Sequence, residues 1–575
     1  MNTSHVLLVR RRTGSVADVL EAIGTAYLVQ HLGGVAEEAV SIAQTNDGFE
    51  IRVQGAKGAV RSLAPLIPYF KDKPEDTTQP LRGEVYDYAG DKKKRDESKT
   101  LDSSVPSTRT VAGGGKKGTS RKQALATEER EDRGQISPRW PNYNALQSLT
   151  KGSFKGQWNE VWSVLDGIND TDEPTFRAGL WSALNDRAAN PAPGDLARSA
   201  TLAQHFNPIA AKGTNRGKAD SVKRDNLKHG SRFSEWLKMI AFDRAAVMRR
   251  AGDTIRLWLP TPAAINLAAL HAVRRKFEAS PWRQGDVKQD IAISIDVADA
   301  LARHFLQAGD VPRGRANQVI RGLETATFQD MGGGYVVMNV TAFGLPAWIV
   351  LRDFPALHTY LEALDSFRRA SWSLDEDHSD DIGILVALRD AIGAETPEPL
   401  LAFFAQYSMF VQRQLARKDD KPYRFNMNVL DAVLGGIDEM LNEIVKAEGF
   451  RRVAAAIRKA TVSEQWKKRE GKQVYEIHYG LFAELRRSSR RSRDLVARLS
   501  EFVASFNAES ARVAEAHREQ GWPRARVSES DLDEVVRLID THGPELVGSL
   551  LCAYGSATGS RDDDAASSGA ATAGT

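Results

Sequence analysis

Between residues 73 and 139 the chain contains DKKKRDESK, VPSTRT, GGGKKGTSRK and TEEREDR and very few large apolar side chains. A stretch of that composition cannot bury enough surface to offset the entropy of ordering it, so it is expected to be a flexible linker or mobile insertion. It divides the sequence into separate folding problems. On its N-terminal side, residues 1–72 read as a small α+β domain. HVLLV at 5–9 is strand-like, FEIRV at 49–53 alternates as a strand does, and Val16, Leu20, Ile23, Ala26 and Val29 recur at near-helical spacing. On its C-terminal side, order resumes at RWPNYNALQSL, and Trp158, Val161, Trp162 and Leu165 fall on one helical face.

The expected fold class is α+β, with a mixed N-terminal and central region of short strands followed by a C-terminal helical bundle. The central α+β domain spans 140–355 and carries a basic loop at 206–232. A helical bundle domain spans 356–555, and a small-residue tail, expected to be disordered, spans 556–575. The 575 residues allow roughly three to five domains. With 42% hydrophobic and 27% charged residues, the composition excludes a wholly disordered chain. Cys552 is the single cysteine, which excludes an intramolecular disulfide and a cysteine-based zinc cage. The opening MNTSHVLLVRRR meets an arginine run too early for a secretory signal, so a cytoplasmic protein is expected.

From Met331 to Leu351 no charge interrupts the sequence, a length that could span a bilayer. Gly332, Gly333, Gly334 and Pro346 argue against a membrane helix. The two runs YVVMNV and PAWIVL, split by FGLP, are expected to be two buried strands joined by a turn. Farther on, Ser530 precedes an acidic first turn, and Leu532, Val535, Val536 and Ile539 form a core stripe. Pro544 opens a second helix, with Gly555 placed where a C-terminal cap belongs.

No catalytic constellation is present, and a non-enzymatic protein without cofactor or metal is expected. GGGKKGTS at 113–120 resembles a phosphate loop, but the position five before Gly115 is Thr110, not glycine. The cluster Asp375, Glu376, Asp377, His378, Asp380 and Asp381 could hold a divalent cation. Its place just before Ile384, Leu385 and Leu388 is more simply that of first-turn carboxylates complementing a helix dipole.

The charge balance is nearly even, 78 Lys+Arg against 75 Asp+Glu, so a polyanion would have to be met by local clusters. Two exist. The first lies in the central loop: Lys212, Arg216, Lys218, Lys223, Arg224, Lys228 and Arg232 stand against Asp220 and Asp225, with Gly213, Asn215, Gly217 and Asn226 interspersed. Cations, amides and an open backbone are the groups that hold phosphates and reach base edges. The second, 451–498, carries fourteen Lys+Arg against five Asp+Glu. Within it Leu485, Ser492, Val496, Leu499, Val503 and Phe506 make a helical seam. Arg486, Arg487, Arg490, Arg491, Arg493 and Arg498 lie about 80–240° from that seam. Arg487 and Arg491, or Arg486 and Arg490, repel one another unless an anion lies between them. The competing reading is a helix face paired with acids on a neighbour. Trp466 and Tyr475 are candidates for stacking on bases, or else core.

FNPIAAKGTNRGKAD (206–220), FSEWLKMIAF (233–242) and DTIRLWLPTP (253–262) resemble the central region of large subunits of type I CRISPR interference complexes (Cascade). The segment DEVVRLIDTHGPELVGSLLCAYGSA is similar to helical C-terminal regions of such subunits. The resemblance covers about a third of the chain, in patches. It implies a non-catalytic subunit that binds double-stranded target DNA alongside a CRISPR guide RNA and the other subunits of the complex. Such a subunit reads the flanking motif, stabilises the opened duplex and recruits a helicase-nuclease. The guide reads sequence by pairing, so the protein needs phosphate contacts and a short readout loop. On this resemblance Lys212, Asn215, Arg216, Lys218, Lys223, Arg224 and Lys228 are candidate readers of the flanking motif. Arg486, Arg487, Arg490, Arg491 and Arg493 are candidate backbone contacts. The alternative is a basic helical scaffold or regulator with no nucleic acid role, bound to other proteins through its cations.

Overall fold

The computed structural model describes residues 4–11, 16–55, 66–71, 84–104, 137, 139–152, 154–166, 232–279, 286–417, 422–516 and 524–559. The chain is α+β and divides into two units. One comprises residues 1–280 and 323–342, the other residues 281–322 and 343–575.

In the first unit, β1 (Ser4–Arg10), β2 (Val40–Gln44) and β3 (Gly48–Gln54) build an antiparallel sheet in which Leu7 lies opposite Ile51 and Val9 opposite Phe49. Alternation along β1 and β3 sends Leu7, Val9, Phe49, Ile51 and Val53 into the core and leaves Val6 exposed. Helix α1 (Val16–Gly33) buries the expected stripe Val16, Leu20, Ile23, Ala26 and Val29. Residues 1–72 nevertheless do not close on themselves. The fourth strand of the sheet is β8 (Ala264–Asn266), with Ile265 opposite Ile42. A helix more than 190 residues on, Arg232–Ala245, packs along α1. The segment is half a core, completed by chain from the far side of the expected linker.

That linker expectation also needs correcting at 84–104. Here β4 (Tyr69–Lys71) pairs in parallel with β5 (Val85–Asp87), and α2 (Tyr88–Ser104) follows directly. The reason is aromatic. Phe70, Tyr86, Tyr143, Phe154 and Trp158 form one aromatic cluster, into which α3 (Trp140–Leu149) and α4 (Phe154–Asp166) bring the last three, each edge-to-face with Phe70. The Tyr86 hydroxyl donates to Asp91 Oδ2 at 2.7 Å, so its one polar atom is satisfied inside the cluster. Asn159 pins β4 by donating to the Phe70 carbonyl and accepting from its N–H. Two tyrosines in a charged sequence thus supply the burial that the composition lacks.

Helix α5 (Arg232–Ala245) leads into β6 (Val247–Ala251) and β7 (Thr254–Pro262), an antiparallel pair. The chain then passes through β8 into α6 (Leu267–Ala279). With β9 (Ile320–Asp330) and β10 (Tyr335–Gly344) the β6–β7 pair makes a second sheet of order β10-β9-β7-β6. The first half of the uncharged stretch is therefore strand, as expected, but β10 has no fully buried residue. The second half is not a strand. Residues 345–351 run irregularly through the core of the second unit, with Leu345, Trp348 and Leu351 fully buried. Arg315 donates to two of their carbonyls, Ala347 O and Trp348 O, at 2.5 and 3.1 Å and to Gly436 O at 2.7 Å, while the Tyr360 hydroxyl donates to Pro346 O and Leu351 forms a single bridge with Gly314. Two side chains and one isolated bridge replace the ladder that a strand would have supplied.

The second unit is helical, built from α7 (Asp286–Ala308), α8 (Phe354–Ser373), α9 (Ser379–Ile392), α10 (Pro397–Ala416), α11 (Met427–Ile437), α12 (Glu439–Lys446), α13 (Glu448–Arg458), α14 (Glu464–Arg469), α15 (Leu481–Ser488), α16 (Ser492–Ala516), α17 (Glu529–His542) and α18 (Pro544–Ser556). Helix α18 packs against α10, α13, α15 and α17 through Val547, Leu550, Leu551 and Tyr554. Gly555 is not a cap but an interior glycine, because a Cβ there would strike Ile457. The N-cap of α17 is Ser528 rather than Ser530, in a reciprocal capping box with Asp531. The expected tail begins later than residue 556. Arg424 donates to the carbonyls of Ser556 and Ala557, and the Thr558 N–H donates to Phe425 O. No helix among the described residues is long and apolar enough to cross a membrane.

The acidic cluster resolves into helix chemistry. Glu376 accepts the N–H groups of Val287 and Lys288 at the start of α7. Asp380 and Asp381 both take Arg413. Among the described residues no group of three or more His, Cys, Asp or Glu could hold a metal.

Candidate nucleic-acid interface

The fourteen cations of 451–498 separate into two populations. Several of those in the first half pair with acids of the same unit. Arg451 pairs with Asp431 at 2.6 Å, and Arg452 with Glu448 and Asp531. Lys467 pairs with Glu464 at 2.7 Å and Lys472 with Glu470 at 3.1 Å, while Arg458 is buried. For Arg451 and Arg452 the partner acids Asp431 and Asp531 lie on neighbouring helices, as the paired-face reading requires, whereas the Lys467 and Lys472 pairs are local.

The second half differs. The sequence suggests one continuous helix through 485–506, but the structure breaks it into α15 and α16 at a tight corner. The Ser489 N–H donates to Leu485 O, the Arg491 N–H to Ser488 O, and the Arg491 carbonyl accepts from Asp494 and Leu495. The seam shifts accordingly. Leu495 is fully buried, whereas Ser492 and Val496 are only half-buried. Ser489, also buried, turns its hydroxyl back onto Leu485 O.

Around this corner Arg486, Arg487, Arg490, Arg491 and Arg493 are all exposed. None of the five has a carboxylate partner among the described residues. Arg486 and Arg487 occupy the last turn of α15, where a cation complements the dipole. Arg493 stands in the first turn of α16, where it does not, beside Asp494, which does. Arg498 leaves the set. It is held by Glu484 and, at 3.2 Å, by Glu501. Six expected guanidiniums are therefore five.

Tyr475, a stacking candidate in the sequence, is only 5% exposed. Its ring and that of Phe506 sandwich Arg524, whose guanidinium carbon lies 3.8 and 4.0 Å from the two centroids and which also pairs with Glu509. Trp466, the other candidate, is 36% exposed, and Tyr479, which the sequence reading passed over, is 54% exposed. The signal for Tyr479 was the following Gly480, which takes φ 84° as the residue before α15. An aromatic residue next to a left-handed glycine sits in a turn rather than on a packed helical face.

Three arginines of the first unit behave otherwise. Arg249, Arg256 and Arg274 are buried, and burial pushes Arg274 down to about 9 against the pull of Asp243. Lys212, Asn215, Arg216, Lys218, Lys223, Arg224 and Lys228 lie outside the described residues, as do most residues of the linker and tail.

Comparison with protein-family models and with curated proteins finds no match for this chain.

Proposed function

We propose that this chain is a non-catalytic, nucleic-acid-binding subunit. More specifically, we propose that it is the large subunit of a type I CRISPR interference complex, working with guide RNA, target DNA, the other subunits and a recruited helicase-nuclease. The observation that carries the binding role is the α15–α16 corner. Five exposed guanidiniums crowd into residues 486–493 without a carboxylate among the described residues to neutralise them. Exposed like charges at such spacing cost a few tenths of a kcal/mol per pair in the free protein. A phosphate backbone repays that cost by releasing its own counterions when the arginines bind. Recognition by cations alone suits a protein whose sequence specificity is delegated to a guide. The complex assignment rests on the sequence resemblance.

The test is binding of the full chain to duplex and single-stranded DNA across a salt series. Log affinity should fall linearly with log salt, and replacing Arg486, Arg487, Arg490 and Arg491 by glutamine should lower affinity and flatten the slope. Thermal stability of that variant should stay at the wild-type value. Absence of binding at low salt, alone or with guide RNA and partner subunits, would favour the scaffold reading. Unfolding of the variant would mean that the arginines serve the fold.

A further inference from the structure

We infer that β10 is a docking edge for β10 of a second copy of this chain, the two strands running antiparallel so that two four-stranded sheets join into one of eight. The inference concerns assembly of the protein with itself and stands or falls separately from the nucleic-acid reading above.

A strand at the end of a sheet presents a row of backbone N–H and C=O groups to any other strand. Stable proteins blunt such edges with charge, proline, a bulge or brevity. The described edges of this protein are blunted in those ways, except one. β4, β5 and β8 are three residues long, while β1 and β6 carry the exposed Arg10 and Arg250. β10 ends the order β10-β9-β7-β6, runs for ten residues as YVVMNVTAFG, and holds neither charge nor proline. Among the described residues no strand pairs with its outer side. Met338 is 60% exposed, and Asn339, Thr341 and Ala342 are exposed as well.

The edge is also held in shape. Thr341 Oγ1 lies 2.7 Å from Thr325 Oγ1, across the pair with β9. At the turn the Met331 N–H donates to Gly334 O at 3.1 Å, and Lys151 Nζ donates to Gly333 O at 2.9 Å. A strand fixed along one side and closed by a tied turn has little entropy left to lose when its other side pairs.

The absence of charge is what selects a second copy. Like charges opposite one another destabilise a strand pair, and a strand that meets itself always brings like charges together. Pairing of β1 or β6 with its own copy would crowd arginines, whereas β10 has none to crowd. Side chains alternate along β10, with Val336, Met338, Val340 and Ala342 on one face. A two-fold axis normal to the sheet keeps each face on its own side, so this apolar row continues into the same row of the other copy. The shared edge is about 34 Å long, which puts the contact at the small end of stable interfaces and makes it a dimer that dissociates on dilution.

The experiment measures the molar mass of the full-length chain against concentration by analytical ultracentrifugation. Mass should rise from one chain toward two and stop there. M338K sets two ammonium groups into one short contact and should weaken association about tenfold or more. M331K, at an equally exposed methionine in the turn before β10, should leave it unchanged. Single cysteines introduced at 337, 338, 339, 340 and 341 read the register, because the one native cysteine, Cys552, is buried. Oxidation should link two chains at the position on the two-fold and fail at the positions beside it, whose copies lie beyond disulfide reach. A chain that stays monomeric at every concentration overturns the inference. So does association that M338K leaves intact or that M331K weakens equally, growth beyond two chains, or cross-linking equal at all five positions.

Discussion

Gly548 of α18 faces Ser489 so closely that a methyl group at 548 would overlap the serine hydroxyl. A Cβ there would also lie 2.9 Å from Ser489 Cβ and 3.5 Å from a Leu495 methyl. Ser489 and Leu495 are the buried residues on either side of the arginine corner. The exposed guanidiniums are thus placed by an interior contact that contains no charge.

Gly548→Ala should destabilise the protein by about 1–3 kcal/mol, because a short serine side chain bonded to Leu485 O has little room to yield. Gly383 in α9 is the control. It is exposed and a Cβ would meet nothing within 4 Å, so Gly383→Ala should stabilise by about 0.5–1 kcal/mol. Chemical denaturation of both variants tests the pair. Equal effects would show that α18 does not set the corner.

Glu509 is the counter-ion of Arg524, and both are buried. Arg524 cannot leave, because it is sandwiched between Tyr475 and Phe506 and also donates to Ser510 Oγ. Glu509→Ala should therefore cost about 3–5 kcal/mol, since it leaves a guanidinium desolvated without an anion. Arg524→Met/Glu509→Leu, which removes both charges at similar volume, should recover much of that loss. A single Glu509→Ala variant with wild-type stability would show that solvent reaches Arg524.

His478 sits half-buried against Phe502 at the junction before α15. Burial holds its pKa below the ordinary 6.5, with Arg524 and Arg498 pushing the same way and Glu509 and Glu476 opposing. The folded state then binds fewer protons than the unfolded state just below that value, so stability rises with pH there. Stability contributed by neutral His478 is present above 6.5 and is lost as pH falls through the depressed folded value. His478→Gln should flatten the decline in thermal midpoint over this window. An unchanged pH profile would place the titrating group elsewhere.

Where local pattern governs, the sequence was legible. The stripe Val16, Leu20, Ile23, Ala26 and Val29 is buried as the helical repeat requires, and Trp158, Val161 and Trp162 face one core. The run RRSSRRSR announced an arginine cluster, and five of its neighbourhood's six guanidiniums are exposed. Hydrophobic period depends on residues within a turn or two of each other, and so it survives in one dimension.

Tertiary structure decided what depends on distant neighbours. Arg452 is neutralised by Asp531, 79 positions away, and Arg498 by Glu484 across a helix break that periodicity did not reveal. β8 completes a sheet begun more than two hundred residues earlier, and Tyr86 and Tyr88 fold a stretch that composition assigns to linker. Trp466 and Tyr475 look alike as aromatic residues among cations, yet one is open to solvent and the other lies under Arg524. Charge and aromaticity belong to a residue, but whether either is available to a ligand depends on which other residues the folded chain brings against it.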